Sequence, residues 1–356
     1  MIEDVPQSKL DNNINFRNII INGDMSIAQR GTSASSVSTT GLNTVDRIKL
    51  AINSMGTWTQ SQSTDVPTGQ GFTSSFKMDC TTADASPSAS DYLIIQQLIE
   101  GQNLQYLKKG TANAESLTLS FWVKSNKTGT YTAELFDNDN SRTINKSYTI
   151  SSASTWEKKT ITFDGDTTGA FNNDNLTSLE VNFWLGAGTT WSSGTLQTSW
   201  GSGVSANRAV GNVNLADSTS NEWYITGVQL EAGTTASDFE FLPHDINLQR
   251  CERYCRLFGS GVQGVASGTT AFYFSEPLQP AMRVTPTLTI TDTSFGVGNY
   301  VSYDKQASGS TLDIARSSRT GIVGRATGFT GLTNFDSLQV WYGLTNDTWL
   351  KAEAEL

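Results

Sequence analysis

Cysteine is scarce in this chain, with three in 356 residues: Cys80, Cys251 and Cys255. So few thiols exclude a disulfide framework and indicate synthesis in a reducing cytoplasm. No second Cys or His pair accompanies Cys251 and Cys255, so their spacing does not predict a zinc site.

Charged residues are also scarce in this chain. Charged residues make up 16% of the chain, against roughly 25% in ordinary soluble domains. Serine, threonine, asparagine and glycine take their place, which is typical of a rigid extracellular or virion β protein. The formal net charge is −10, so we expect no nucleic-acid partner.

Long apolar runs are also missing. No stretch approaches the ~18 residues of a membrane span, so we expect no membrane insertion. The first 13 residues, MIEDVPQSKLDNN, have neither a basic nor an apolar region, and we therefore expect no signal peptide.

Short alternating stretches are what the sequence does contain. Residues 116–124 place four apolar side chains on one face and Trp122 alone on the other. Residues 178–185 repeat this arrangement with Trp184. Turn-rich segments separate these stretches, and long helical patterns are lacking. The pattern predicts an all-β protein built on a jelly-roll-like β-sandwich.

The stretch 223–230 changes phase at Gly227. Trp223 and Ile225 share one phase, and Val228 and Leu230 share the other. One extra residue at this point predicts a β-bulge, which keeps both halves facing the core.

Residues 244–258 carry the clearest helical pattern. Asp245 is a plausible N-cap, and Gly259 is well placed to end the helix. Spacings of three, four and three predict one apolar stripe that docks on the sandwich or on symmetry mates. The stripe consists of Leu248, Cys251, Cys255 and Phe258.

These patterns divide the chain into four parts: an N-terminal arm at 1–18, a sandwich at 19–243, a helix at 244–258 and a smaller β domain at 259–356. The arm is polar and aperiodic, so it is either disordered or ordered against a partner. The alternation at 349–356 predicts a last strand that pairs in its own sheet or in a neighbour's.

Several passages resemble a known family. They read NIIINGDMSIAQRG at 18–31, followed by VDR at 45–47, then SANRAVGNVNL at 205–215, ITGVQLEAG at 225–233, FEFLP at 239–243 and LQRCERYC at 248–255. In order and spacing they resemble tail fibre and appendage proteins of tailed bacteriophages, over roughly residues 15–290. One departure is Cys255, where the family pattern has tyrosine.

The resemblance implies a carbohydrate-binding-like jelly roll in a virion appendage. It also implies a homo-oligomer, commonly a trimer, that acts at the host surface. We expect the N-terminal arm to bind other virion proteins. We expect the protein itself to be located in the tail or an appendage of the virion.

Four tryptophans are candidate glycan contacts, because indole faces stack on sugar rings. Trp122 and Trp184 would share one surface if their strands share a sheet, although both could instead pack under a loop or at an interface. Trp191 and Trp200 lie in small-residue loops, and there the family resemblance favours a structural role.

Acidic loops offer a candidate calcium site at Asp137 and Asp139. Read as an EF-hand from Asp137, the sixth and twelfth positions are Arg142 and Tyr148 where the motif needs Gly and Glu. Asx turns explain the same residues, so apart from this site we expect no cofactor.

Catalysis is not predicted. No carboxylate pair stands out for glycoside hydrolysis, and the single histidine, His244, fits a surface or capping role. We therefore expect a tail fibre that binds host glycans without cleaving them. The alternatives are a structural decoration or adaptor without receptor binding and, less favoured, a polysaccharide depolymerase.

Overall fold

The computed structural model describes residues 16–299, 305–342 and 348–356. The chain divides into two compact units, residues 1–244 and residues 245–356. Both units are built from antiparallel strands. The described residues contain 22 strands and two α-helices. The prediction of an all-β protein is confirmed.

In its described residues the first unit contains twelve strands, one short α-helix and four single-turn 3₁₀ helices. The bounds of the strands and the α-helix are β1 Ser33–Val37, β2 Lys49–Asn53, β3 Thr57–Ser63, β4 Ser75–Thr82, β5 Tyr92–Glu100, β6 Leu117–Ser125, β7 Gly129–Asp137, β8 Arg142–Ile150, β9 Glu157–Phe163, β10 Thr177–Ala187, α1 Thr189–Ser192, β11 Gly201–Ser202 and β12 Glu222–Ala232.

Two six-stranded sheets form a sandwich in this unit. Sheet I has the order β1-β3-β4-β12-β6-β9, and sheet II has the order β11-β8-β7-β10-β5-β2. Neighbouring strands are often distant in sequence, so the sandwich is tied together by long-range pairing.

The alternation predicted in β6 and β10 is confirmed. Their inward side chains all join one hydrophobic core between the sheets, because successive residues of a strand point to opposite faces. These side chains are Leu117, Leu119, Phe121, Val123, Leu179, Val181, Phe183 and Leu185.

The bulge predicted in β12 is confirmed as well. The pairing with β6 gains one residue between Thr226 and Gln229. Gly227 adopts a φ of 61° there, and a Cβ at this position would lie 2.5 Å from the Phe72 ring. Both halves of β12 therefore face the core without a side chain at the bend.

The N-terminal end of the sandwich begins earlier than predicted. Asn18 is buried. Its Nδ2 donates to the Val228 carbonyl at 3.1 Å, and its Oδ1 accepts from the Leu230 N–H at 3.1 Å. Residues 17 and 18 therefore belong to the sandwich, and residues 1–15 of the predicted arm lie outside the described residues.

The predicted helix at 244–258 is too long. Helix α2 spans His244–Glu252, and strand β13, Cys255–Gly259, follows it. Cys255 pairs with Glu353 and Phe258 with Leu350. Strand pairing overrides the helical spacing because so short a helix is marginal by itself.

The predicted apolar stripe is consequently wrong. Only Leu248 and Cys251 lie on the helix, where Leu248 is half-buried and Cys251 is buried. Cys255 and Phe258 lie on β13. The strands of the second unit therefore begin at residue 255, before the predicted boundary at residue 259.

The second unit holds the remaining strands. Their bounds are β13 Cys255–Gly259, β14 Gln263–Ser267, β15 Ala271–Pro277, β16 Thr287–Ile290, β17 Gly296–Gly298, β18 Lys305–Gln306, β19 Leu312–Ser318, β20 Gly321–Thr327, β21 Ser337–Tyr342 and β22 Thr348–Glu353.

These strands form a three-stranded sheet, β13-β22-β16, and a seven-stranded sheet, β18-β17-β21-β14-β15-β20-β19. A second core contains Phe272, Phe274, Phe295 and Trp349. The last strand, β22, pairs on both sides within its own unit. The prediction that it pairs is therefore confirmed.

Candidate functional site

The outer face of sheet I carries a row of aromatic and charged side chains. Tyr224 on β12 lies opposite Lys124 on β6 and opposite Lys77 on β4. Because Trp223 and Ile225 point into the core, these three side chains point outward. We call the whole group the tryptophan–lysine face. It comprises Asp65, Lys77, Trp122, Lys124, Trp156, Glu222 and Tyr224.

Trp156 is fixed on this face by a carboxylate and a cation. Its Nε1 donates to Asp65 Oδ1 at 2.9 Å, and Asp65 Oδ2 pairs with the Lys124 ammonium. Lys124 Nζ lies 4.2 Å from the centroid of the Tyr224 ring and 5.5 Å from that of Trp156. The indole is thus held in one orientation by a hydrogen bond and a cation–π contact.

The other half of the row is also paired. The Tyr224 hydroxyl donates to Glu222 Oε2 at 2.8 Å, and Lys77 Nζ lies 3.0 Å from the same oxygen. Burial raises the pKa of Tyr224 to about 12. Burial opposes the charge on Lys77, but Glu222 and Tyr224 together outweigh it through hydrogen bonds and charge, and they raise the Lys77 pKa.

The carboxylates of the face are held ionised. Burial would raise the pKa of Asp65, but hydrogen bonds from Lys124 and Trp156 outweigh it and lower that pKa. Burial likewise opposes ionisation of Glu222, and Lys77 and Tyr224 outweigh it, so the Glu222 pKa is also lowered. Both groups act as acceptors at neutral pH.

Only some side chains of this face are accessible to solvent. Tyr224 is buried, and the Lys124 side chain is 9% exposed. Trp122 and Trp156 are partly exposed, and the Asp65 side chain is 45% exposed. An indole edged by ionised carboxylates suits a sugar, since the ring stacks on its C–H face and the oxygens accept from hydroxyls.

Trp184 lies on the other sheet. It belongs to β10 of sheet II and is completely buried. Its Nε1 donates to Glu134 Oε2 at 2.9 Å. The condition for a shared surface is not met, because Trp122 and Trp184 lie on different sheets. Trp184 has no surface for a glycan and packs under a loop, which was the alternative.

Residues 188–213, which we call the covering segment, lie over Trp184. Trp191 in α1 places its ring 5.9 Å from Trp184 and 5.5 Å from Tyr92. Its Nε1 donates to the Ser90 carbonyl at 3.1 Å. The partners of the half-buried Trp191 are therefore structural ones.

Arg208 fastens the covering segment to sheet II. Its Nε and Nη2 donate to the two carboxylate oxygens of Glu134 at 2.7 and 2.8 Å. The guanidinium carbon lies 5.2 Å from the Trp184 ring and 4.7 Å from the Phe136 ring. Burial opposes this charge, but Glu134 outweighs it and raises the Arg208 pKa.

Trp200 is also a packing residue. It is half-buried against the sandwich core. Its Nε1 donates to the Asp164 carbonyl at 2.7 Å, and Lys109 Nζ lies 5.4 Å from its ring.

The predicted calcium ligands are not brought together. Asp137 is buried, and its Oδ2 lies 2.5 Å from Lys109 Nζ, which also lies 3.0 Å from Asp166 Oδ2. Asp139 instead accepts from the N–H and Nδ2 of Asn172 at 2.9 and 2.8 Å. The cation beside Asp137 is therefore the Lys109 ammonium, which lies between Asp137 and Asp166. Within the described ranges no cluster of three His, Cys, Asp or Glu could hold a metal.

The sequence reasoning missed Trp156, Lys124 and Tyr224 as site residues. A signal was present. Lys124 and Tyr224 occupy outward-facing positions of their strands, and Trp156 immediately precedes β9 in the same outward alternation. Their convergence depends on the strand order β12-β6-β9, which no local pattern reveals.

Every helix in the described part of the chain is too short or too polar to cross a bilayer.

No protein-family model matches the chain, and a search of curated proteins finds no significant relative. Among solved structures it is similar to the tailspike protein 4 enzymatically active domain of bacteriophage CBA120, with 14% identity and a TM-score of 0.32. That match covers 61% of this chain and 22% of the tailspike chain, so the chain spans less than a quarter of that structure's length.

Two further similar structures are named for sugars. A putative sugar binding protein from Bacteroides thetaiotaomicron has 12% identity and a TM-score of 0.32, over 60% of this chain and 99% of its own. A family 11 carbohydrate-binding module from Clostridium thermocellum has 9% identity and a TM-score of 0.30, over 58% and 98%. Likenesses at this level place the chain in no family.

Proposed function

We propose that this chain is a bacteriophage virion appendage protein, a tail fibre, that binds host-surface glycans on the tryptophan–lysine face without cleaving them. The observation that carries the proposal is the state of Trp156. Its ring is partly exposed and its Nε1 is already bound to Asp65. A pre-oriented ring loses little rotational freedom when a ligand stacks on it.

Binding at such an open face is weak for a single site. A sugar stacked on one indole and hydrogen-bonded to one or two carboxylates is exchanged quickly with solvent. We propose that several copies, as in a trimer, act together, since linked sites raise effective affinity by about 10²–10⁴. The proposed host ligand is therefore a repeating surface polysaccharide.

The electrostatics of the face favour binding over hydrolysis. A glycosidase needs a carboxylic acid whose pKa is raised, so that it can protonate the leaving oxygen. The pKa values of both Asp65 and Glu222 are lowered by neighbouring donors. These carboxylates accept hydrogen bonds and hold no proton to donate.

The virion assignment rests on the motifs quoted above and on the chain's low charge. The motif residues are structural: Asn18 joins the N-terminal segment to β12, and Arg208 fastens the covering segment. Motifs of this kind support a shared framework and leave the outer face of sheet I free to vary with the host.

The test is binding of the full chain to bacterial cells and to an array of neutral glycans, comparing wild type with Trp156→Ala and Trp191→Ala. We expect Trp156→Ala to weaken binding about tenfold, which corresponds to ~1.4 kcal/mol. Trp191→Ala should leave the affinity of folded protein unchanged. Chromatography of recovered glycan should show the original chain length.

Three results would contradict the proposal. Shortened glycan would indicate a depolymerase. Equal binding by wild type and Trp156→Ala would place the site elsewhere. Failure of the folded, oligomeric wild type to bind any cell or glycan would favour a structural decoration.

A further inference from the structure

The seven-stranded sheet of the second unit contains a shallow groove of about 570 Å³ at one end. Three adjacent strands, β15, β20 and β19, form it. Each strand contributes two residues on the groove side of the sheet. They are Ser275 and Pro277 on β15, Gly321 and Val323 on β20, and Arg316 and Ser318 on β19.

The strand register places these residues on one face. Val323 lies opposite both Ser275 and Arg316, and Gly321 lies opposite both Pro277 and Ser318. Their neighbours in sequence, such as Ile322, point into the core. Gly321 contributes no side chain, so the middle of the groove is open.

Two other groove residues belong to the opposite phase. Glu276 is half-buried and pairs with Ile322, and Ser317 donates its hydroxyl to the Pro286 carbonyl at 2.9 Å. Their side chains point to the opposite face of the sheet, because successive side chains of a strand alternate, so these residues line the groove mainly with backbone atoms.

Arg316 distinguishes this groove. It is exposed, and within the described residues no carboxylate forms an ion pair with it. On the same sheet, Arg325 is held by Asp313 through two donors. The chain carries a net charge of −10, yet this groove presents a cation to solvent. A planar guanidinium fits a carboxylate through two parallel hydrogen bonds, so the exposed Arg316 side chain is suited to bind one.

We propose that this groove is a second ligand site, which binds a carboxylate-bearing sugar of the hexuronic acid type. Arg316 binds the carboxylate. Ser275 and Ser318 offer hydroxyls to the ring hydroxyls, and Val323 and Pro277 contact the apolar ring face. The site lies on the second unit and takes an acidic ligand, so it does not rest on the tryptophan–lysine face.

The test is calorimetric titration of the full chain with a hexuronic acid tetrasaccharide and with its carboxyl-reduced counterpart. We expect the acidic form to bind and the reduced form to bind at least about tenfold more weakly. Arg316→Ala should lose the same factor. Arg316→Lys should retain part of the affinity, because lysine keeps the charge without the paired donors.

Lys108→Ala is the matched control, since it removes one exposed charge from the first unit and should leave the affinity unchanged. Ser275→Tyr fills the groove while Arg316 remains, and it should also abolish binding. Trp156→Ala should leave acidic binding intact, which separates this site from the proposed neutral-glycan site.

The proposal is overturned if the acidic and reduced tetrasaccharides bind equally, or if Arg316→Ala binds like wild type. It is also overturned if a poly-glutamate peptide binds as tightly with the same dependence on Arg316. That result would mean general attraction of anions and no recognition of a sugar.

Discussion

The two outer faces of the sandwich contain nearly the same chemistry. Sheet I presents Trp156 with Lys124 and Asp65. Sheet II presents Trp184 with Arg208 and Glu134. Each set consists of an indole whose nitrogen donates to a carboxylate that also pairs with a cation over the ring.

Burial separates the two sets. Glu134 is completely buried and accepts from Thr143, Asn182, Trp184 and Arg208. Both of its carboxylate oxygens already accept hydrogen bonds from the protein. Asp65 has a 45% exposed side chain and keeps oxygen surface for a ligand. The same residue types therefore support the fold where a segment covers them, and they leave aromatic and carboxylate surface exposed where no described residue covers them.

The largest expected effect is on the covered face. Glu134→Gln keeps the shape but leaves the Arg208 charge buried without its partner. We expect the free energy of unfolding to fall by about 3–5 kcal/mol, measured by chemical denaturation. Glu222→Gln, the matched change on the open face, should cost at most ~1 kcal/mol because Glu222 is partly exposed. Equal losses in the two variants would contradict the distinction between the faces.

A smaller effect is expected at the neighbouring lysines 108 and 109. Lys109→Met would leave Asp137 and Asp166 buried without the ammonium between them. We expect a loss of about 3 kcal/mol in the free energy of unfolding. Lys108 is 54% exposed and pairs with Glu115 at 2.7 Å, so Lys108→Met should cost less than ~0.5 kcal/mol.

Thermal unfolding of Lys109→Met and Lys108→Met measures the two losses of stability. A stable Lys109→Met protein would mean that Arg142, which donates to Asp166 at 2.7 and 3.0 Å, neutralises the cluster without Lys109.

Local pattern predicted the direction of side chains well. The alternation in β6 and β10 identified which residues enter the core, and the phase change at Gly227 identified the bulge in β12. These features depend on the two-residue repeat of a strand, which sequence shows directly.

Local pattern could not predict which strands become neighbours. Trp122 and Trp184 occupy equivalent positions in similar strands, yet the strands belong to different sheets. Asp137 finds Lys109, 28 positions earlier in the chain, instead of Asp139. Likewise, β13 forms because β22 pairs with it, although its spacing continued a helical pattern. Long-range pairing decides all three cases.

The smallest expected effect is a titration on the open face. The pKa of Asp65 lies below its usual value of 3.8 because donors from Lys124 and Trp156 outweigh burial. For a lowered pKa, the stabilising contribution is complete above the unfolded value and is lost as pH falls through the folded value. Only acid below about pH 4 should therefore release Trp156.

The indole N–H resonance of Trp156 in NMR spectra, assigned with Trp156→Phe, follows this titration. In Lys124→Met the transition should move to higher pH, because the carboxylate loses its cation. A transition above pH 3.8 in the wild type would mean that burial dominates at Asp65. The open face would then resemble the covered one more closely than its exposure indicates, and the claim that hydrogen bonds from Lys124 and Trp156 outweigh burial at Asp65 would fail.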